Sequence, residues 1–123
     1  MNQAVLDKIL DNHKLWLKTN GEQGERANLR SADLRYADLS SADLSSANLS
    51  SADLDFSTFP LWCGGLDVNI DDKQATQLLY HLVRNVQYSE NTSKEMKKLC
   101  KLKSIIKKAN EFHRIDECGK IEV

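Results

Sequence analysis

The sequence predicts a mainly β solenoid with α caps: a short coil in the middle of the chain, a helix before it and a helical hairpin after it. Three observations carry this. Residues 27–56 read ANLRSADLRYADLSSADLSSANLSSADLDF, with Leu at every fifth position (29, 34, 39, 44, 49 and 54). Residues 3–18 and two later stretches place apolar side chains at helical spacing. Charge is also divided: residues 22–72 hold ten acidic side chains against three Arg, whereas residues 73–123 hold eleven basic against six acidic. The expected parts are 1–21, 22–61 and 62–123.

The first part reads as a helix. Val5, Leu6, Ile9, Leu10, His13 and Leu17 recur at helical spacing, and Thr19-Asn20-Gly21 is a plausible stop. A repeat architecture needs such a cap, because its open ends expose backbone edges and apolar side chains.

The repeated Leu fit neither a helix nor a flat strand. On an α-helix each step of five residues turns about 140° further round, so the leucines scatter over the whole circumference. On a strand the odd spacing sends successive leucines to opposite faces. Every Leu is hidden if the chain turns by a right angle once per five residues, pointing each into the middle of a coil. Ala27, Ala32, Ala37, Ala42, Ala47 and Ala52 then face inward where space is tight. The Asp or Asn between Ala and Leu can bond nearby backbone and hold the turn, and the two residues after Leu point outward.

This tandem A[DN]LXX motif resembles the pentapeptide-repeat family. Six full copies match, and Ser57-Thr58-Phe59-Pro60-Leu61 reads as a degenerate seventh with Phe59 at the Leu position. The stretch Leu6 to Leu17 followed by GEQGER is similar to the lead-in of small members from phages and prophages. The resemblance implies a right-handed quadrilateral β-helix with four repeats per coil, so that residues 20 apart stack. Leu29 is then expected over Leu49, Leu34 over Leu54 and Leu39 over Phe59. On the outside Tyr36 would lie over Phe56, and Arg35 over Asp55 as a surface ion pair. Asp33 over Asp53 would be a like-charge stack, relieved by Arg35.

After the repeats, Trp62 is expected to plug the last coil, and Gly64-Gly65 to let the chain leave it. Asp71 or Asp72 can cap a helix bearing Ala75, Leu78, Leu79, Leu82, Val83 and Val86 on one face and ending near Tyr88. Thr92-Ser93-Lys94-Glu95 fits a capping box opening the second hairpin helix, with Met96, Leu99, Cys100, Ile106 and Ala109 inward.

Little catalytic chemistry is legible. The chain has no HExxH, CxxC, phosphate-cradling glycine loop or nucleophile elbow, so a non-enzyme without cofactor is expected. His13 and His81 fall within helical patterns. Cys63, Cys100, His113 and Cys118 could in type make a tetrahedral zinc set, but no paired CxxC unit exists and free thiols are the simpler reading. Three dispersed cysteines and the lack of a roughly 20-residue apolar run predict a cytoplasmic protein.

The acidic residues Asp33, Asp38, Asp43 and Asp53, with Asp55, have two readings: carboxylates that stabilise turns, or carboxylates that imitate nucleic-acid phosphates in a partner's basic groove. Some members of the resembled family inhibit DNA gyrase by mimicking duplex DNA. Arg35 beside Tyr36 and Phe56 would anchor the contact, since exposed stacked aromatics flanked by charge suit an interface centre. The expected function is a phage or mobile-element inhibitor or adaptor that docks on a host complex that normally binds nucleic acid, such as a CRISPR effector or a topoisomerase. A homodimer is possible; no membrane and no small-molecule substrate is expected. The alternatives are a purely structural role, or nucleic-acid binding through Lys94, Lys97, Lys98, Lys101, Lys103, Lys107 and Lys108.

Overall fold

A computed structural model describes all residues, 1–123. The chain forms two compact units, Met1–Asp71 and Asp72–Val123.

The first unit opens with α1 (Gln3–Lys18), whose N-cap Asn2 accepts from the Ala4 N–H. Thr19 at the C-cap is followed by Asn20 (φ 54°) and Gly21 (φ 87°), left-handed residues that end the helix. Then come the repeats. In each, the residue after Ala-Asx-Leu-X-X returns its N–H to the Leu carbonyl, from Ala32 to Leu29 (3.1 Å) through Ser57 to Leu54 (3.0 Å). Asn28, Asp33, Asp38, Asp43, Asn48 and Asp53 each accept, through Oδ1, the N–H two residues on. The short polar side chain thus holds the corner its own residue enters.

The expectation of a mainly β solenoid with a quadrilateral β-helix is corrected. No residue belongs to a strand; the pairing consists of isolated parallel bridges, Asn28 to Asn48, Asp33 to Asp53, Asp38 to Thr58 and Asn48 to Asn69. Helix is the main regular structure of the chain. The reason is local: with a turn every five residues, each straight segment pairs through one residue before the chain bends away, too little for a ladder. What remains is a stack of turns, tied by bonds such as Leu29 N–H to the Asn48 carbonyl (2.8 Å) and Leu34 N–H to the Asp53 carbonyl (3.0 Å).

Leu29, Leu34, Leu39, Leu44 and Leu49 are at most 1% exposed. Each stabilises the unit by about 2 kcal/mol on burial. Ala27, Ala47 and Ala52 are buried among them, with Leu6 of α1, and Ile9 and Leu10 pack on the same cluster. Val5 of α1 is exposed instead.

α1 also supplies hydrogen-bond partners to the first layer of turns. The terminal amine of Met1 donates to the Asp33 carbonyl (2.8 Å). The Gln3 side-chain amide bonds both the carbonyl (3.1 Å) and the N–H (3.0 Å) of Asp38, as a neighbouring backbone would. His13, fully buried, accepts the Ala27 N–H at Nδ1 (2.9 Å), so its Nε2–H donates to the Ser45 carbonyl (2.9 Å). These side chains satisfy backbone groups that the missing next layer would have paired.

In the second unit the expected two-helix hairpin is replaced by four helices: α2 (Asp72–Tyr88), α3 (Lys94–Leu99), α4 (Lys103–Ala109) and α5 (Ile115–Cys118). The expected capping box of Thr92 with Glu95 is replaced by a simple N-cap one residue later, where Ser93 Oγ accepts the Met96 N–H (3.1 Å). The break at Cys100 to Leu102 contains no helix-breaking residue. Its gain is in packing: Cys100 and Ile106, six positions apart, would lie on different sides of one continuous helix, yet both are buried in one cluster with Tyr80, Val83, Val86, Ala109, Phe112 and Ile121. Met96 and Leu99, expected inward, are exposed; so are Ala75, Leu78 and Leu82 of α2, where Gln74, Thr76 and Tyr80 are buried instead. No helix is long and apolar enough to cross a membrane.

Candidate protein-interaction surface

The second residue after each Leu occupies an outer corner of the turn stack. At Ser31, Tyr36, Ser46, Ser51 and Phe56 this corner has φ between 61° and 65°, the left-handed conformation of a type II turn. Any residue with a Cβ bears about 1 kcal/mol or more of strain at this φ, serine included. Tyr36 and Phe56 accept it while remaining 73% and 60% exposed. Their rings stack with centroids 4.9 Å apart and planes inclined by 5°. The stack returns about 1 kcal/mol.

Beside the rings, the Arg35 guanidinium grips Asp33 with two bonds, Nε to Oδ1 and Nη2 to Oδ2, both 2.9 Å. It also lies 4.0 Å from Asp53. The expected like-charge stack of Asp33 on Asp53 is thus relieved by Arg35. The Arg35 side-chain bonds, and then the Arg35 N–H, hold the Asp33 carboxyl well below the usual range; the same contact raises Arg35.

The other expected site residues are placed less uniformly. Asp38 is exposed and accepts from the Ser40 hydroxyl (2.6 Å), the Ser40 N–H (3.0 Å) and the Thr58 hydroxyl (3.1 Å), which lower its pKa in that order. Asp43 is half-buried and accepts the Ser45 N–H (3.1 Å). Asp55 is corrected: it is 6% exposed and is no surface carboxylate, and the ion pair expected between it and Arg35 is formed by Asp33 instead. A two-residue reach lets Arg35 fold back along its own turn.

Trp62 is also corrected. It is 49% exposed rather than plugging the last coil; its Nε1–H donates to the Ala42 carbonyl (3.1 Å) and its ring lies flat enough on Gly64 that a Cβ there would meet Trp62 Cζ2 at 2.3 Å. With Leu61 (93% exposed) and Leu66 (60%) it adds an apolar rim that the sequence reading missed. A signal existed: with Phe59 at the Leu position, Leu61 falls on the outward corner that Ser41 fills 20 residues earlier.

The possible zinc residues do not converge, and no three ligand-type side chains form a metal site. Cys63 and Cys118 are exposed and Cys100 is buried, all as free thiols. In the second unit an open cavity of about 600 Å³ is lined by Tyr80, His81, Arg84 and Cys118 among others, but Arg84 spends its Nη1 on the Tyr80 hydroxyl (2.6 Å) and the Cys118 carbonyl (2.7 Å). Of the seven lysines, Lys97 closes the end of α2 by donating to the Val86 carbonyl (3.0 Å) and to the Ser89 carbonyl, and Lys108 pairs with Asp72 (2.7 Å) and Glu111 (2.9 Å).

A family model described as pentapeptide repeats (8 copies) matches residues 25–59. Over this segment, under a third of the chain, the sequence is similar to the pentapeptide-repeat family. No curated protein and no solved structure matches it. Pentapeptide repeats suggest a protein–protein interaction or structural role. In the repeats the inner positions are fixed by packing and the Asx positions by the turns, so the outer corners are the positions that folding prescribes least.

Proposed function

We propose that this is a non-enzymatic protein-binding module, an inhibitor or adaptor, that docks through the corner formed by Tyr36, Phe56 and the Arg35–Asp33 pair. The observation that carries the reading is the exposed aromatic stack held at positive φ. At positions 31, 46 and 51 the solvated corner is filled by Ser, which takes the same left-handed backbone without exposing apolar area. Two aromatics there expose apolar area that a partner would cover, and flat rings beside a fixed charge suit an interface centre.

The narrower form of this reading, in which Asp33, Asp38, Asp43 and Asp53 imitate phosphates and block a host nucleic-acid-processing complex, draws less support. Arg35 offsets charge on Asp33 and Asp53, and each of these carboxylates already holds a turn. The sequence itself supplies variants for the test. Tyr36→Ser with Phe56→Ser installs the residue that other corners carry, and Asp→Asn at 33, 38, 43 and 53 installs the residue that holds the turns at 28 and 48. Partners captured from a bacterial lysate by the tagged chain are compared across the two variants. The serine pair is expected to lose binding about a hundredfold, and the four Asn to change it less than about tenfold. Loss confined to the Asn variant would establish charge mimicry instead. Equal retention by both would end the proposal.

A further inference from the structure

The sharp turn between α3 and α4 puts an unusual set of side chains in water. Lys98 to Lys103 reads Lys-Leu-Cys-Lys-Leu-Lys; Lys101 N–H bonds the Lys98 carbonyl (3.2 Å) and Leu102 N–H the Leu99 carbonyl (3.2 Å), so the segment is wound tightly. Cys100 points into the core at 2% exposure. Every other residue of the turn is exposed, Leu99 at 52% and Leu102 at 48%. Lys98, Lys101 and Lys103 form no ion pair, unlike Lys108, and no bond to backbone, unlike Lys97.

We infer that this turn binds the surface of an anionic lipid bilayer, the leucines entering the headgroup boundary and the lysines lying among the phosphates. Charge and chemistry together select this occupant. The helix-turn-helix segment 94–108 carries seven lysines against one glutamate, so its partner is anionic. Protein interfaces favour Arg, Tyr and Trp and are poor in Lys. A reader of nucleic acid uses Arg forks or aromatic rings that stack on bases, and this turn has neither. Aliphatic side chains between flexible cations are what a fluid interface takes: long lysine stems reach back to the phosphates while the leucines sink past them. No spanning helix is required, since the contact is peripheral.

The full chain is sedimented with vesicles of phosphatidylcholine containing about 30% phosphatidylglycerol, and with pure phosphatidylcholine. Binding is expected to the first, weakened by salt, and not to the second. At about fivefold per lysine near an anionic surface, Lys98→Gln with Lys101→Gln and Lys103→Gln is expected to weaken it about a hundredfold. Leu99→Ser with Leu102→Ser is expected to weaken it about tenfold at unchanged charge. The replaced side chains are all exposed, and circular dichroism checks that the helices persist. Vesicle binding that ignores the leucine variant would overturn the inference. So would the absence of vesicle binding, whether the lysines then proved to hold duplex DNA in a gel shift or a second copy of the chain in light scattering.

Discussion

In Met1–Asp71 the core is one residue type repeated at one interval, Leu29 to Leu49 with alanines between, and almost every corner is held by the same Asx bond. In Asp72–Val123 the core is assembled from unlike shapes, Tyr80, Val83, Phe112 and Ile106 among them, and the polar ties are individual: the Tyr80 hydroxyl to the Gly119 carbonyl (2.5 Å), the Asn110 side-chain amide to the Ile121 carbonyl (2.9 Å). Information therefore sits differently in the two units. In the first unit the inner positions are prescribed by a period, so whatever departs from the period on the outside, such as Tyr36 and Phe56, stands out as unexplained by folding. In the second unit no period separates structural side chains from others, and exposure must be seen before it can be interpreted.

The strongest way to test the comparison is to remove one leucine from the repeating core. Leu44 is fully buried, and Leu44→Ala is expected to cost about 3 kcal/mol through lost transfer energy and the cavity left between stiff turns. Both tryptophans, Trp16 and Trp62, lie in the first unit, so chemical denaturation followed by tryptophan fluorescence reads it. If the turns relax to close the gap and the midpoint hardly moves, the leucine axis is not the organising element.

His13 tests the join between helix and repeats inside the same unit. Replacing it with Ala leaves the Ala27 N–H and the Ser45 carbonyl without their partner. An expected loss of about 2 kcal/mol follows from stranding buried polar groups, again read by fluorescence. His13→Gln, which can reach only one of the two groups, is expected to recover part of that loss. Indifference to both substitutions would reduce His13 to a space-filling residue.

These two cases mark how far the sequence could be read. The leucine and alanine positions and the Asx bonds were legible because each follows from the five-residue phase, and the stack of Tyr36 on Phe56 because the family resemblance implies four repeats per coil. The helix over 3–18 was legible from spacing, and the bounds of α1 match it. The two roles of His13 were not, since they depend on where the helix crosses turns 14 and 32 residues away. The strands expected from the family resemblance were not formed because a bend every five residues interrupts pairing after one residue. Arg35 chose Asp33 over Asp55 for a reason the stacking rule omits, namely that a long side chain can turn back on its own loop. The break between α3 and α4 was invisible in composition, because Lys, Leu and Cys all tolerate a helix interior and only the packing of Cys100 with Ile106 demands the bend.

The mildest test sets the two units against each other through pH. In the first, Asp33 is held below its ordinary value by Arg35, and Asp38 by the Ser40 hydroxyl, the Ser40 N–H and the Thr58 hydroxyl. A carboxyl that binds its proton less tightly folded than unfolded contributes stability in full above the unfolded value of 3.8, and loses it as pH falls through the lower folded value. In the second unit Lys108 is raised by Asp72 and then Glu111. A lysine that holds its proton more tightly when folded contributes below the unfolded value of 10.5 and loses that contribution as pH climbs through the higher folded value. The first unit should therefore weaken at the acid end and the second at the alkaline end. These groups are exposed, so both slopes are small and shrink further in salt. Arg35→Gln should flatten the acid slope of tryptophan fluorescence midpoints, and Lys108→Gln the alkaline slope of helical circular dichroism. Should Arg35→Gln leave the acid slope intact, the Arg35–Asp33 pair would be a feature of the surface with no hold on the fold, and its place beside two exposed rings would point still more firmly to a partner.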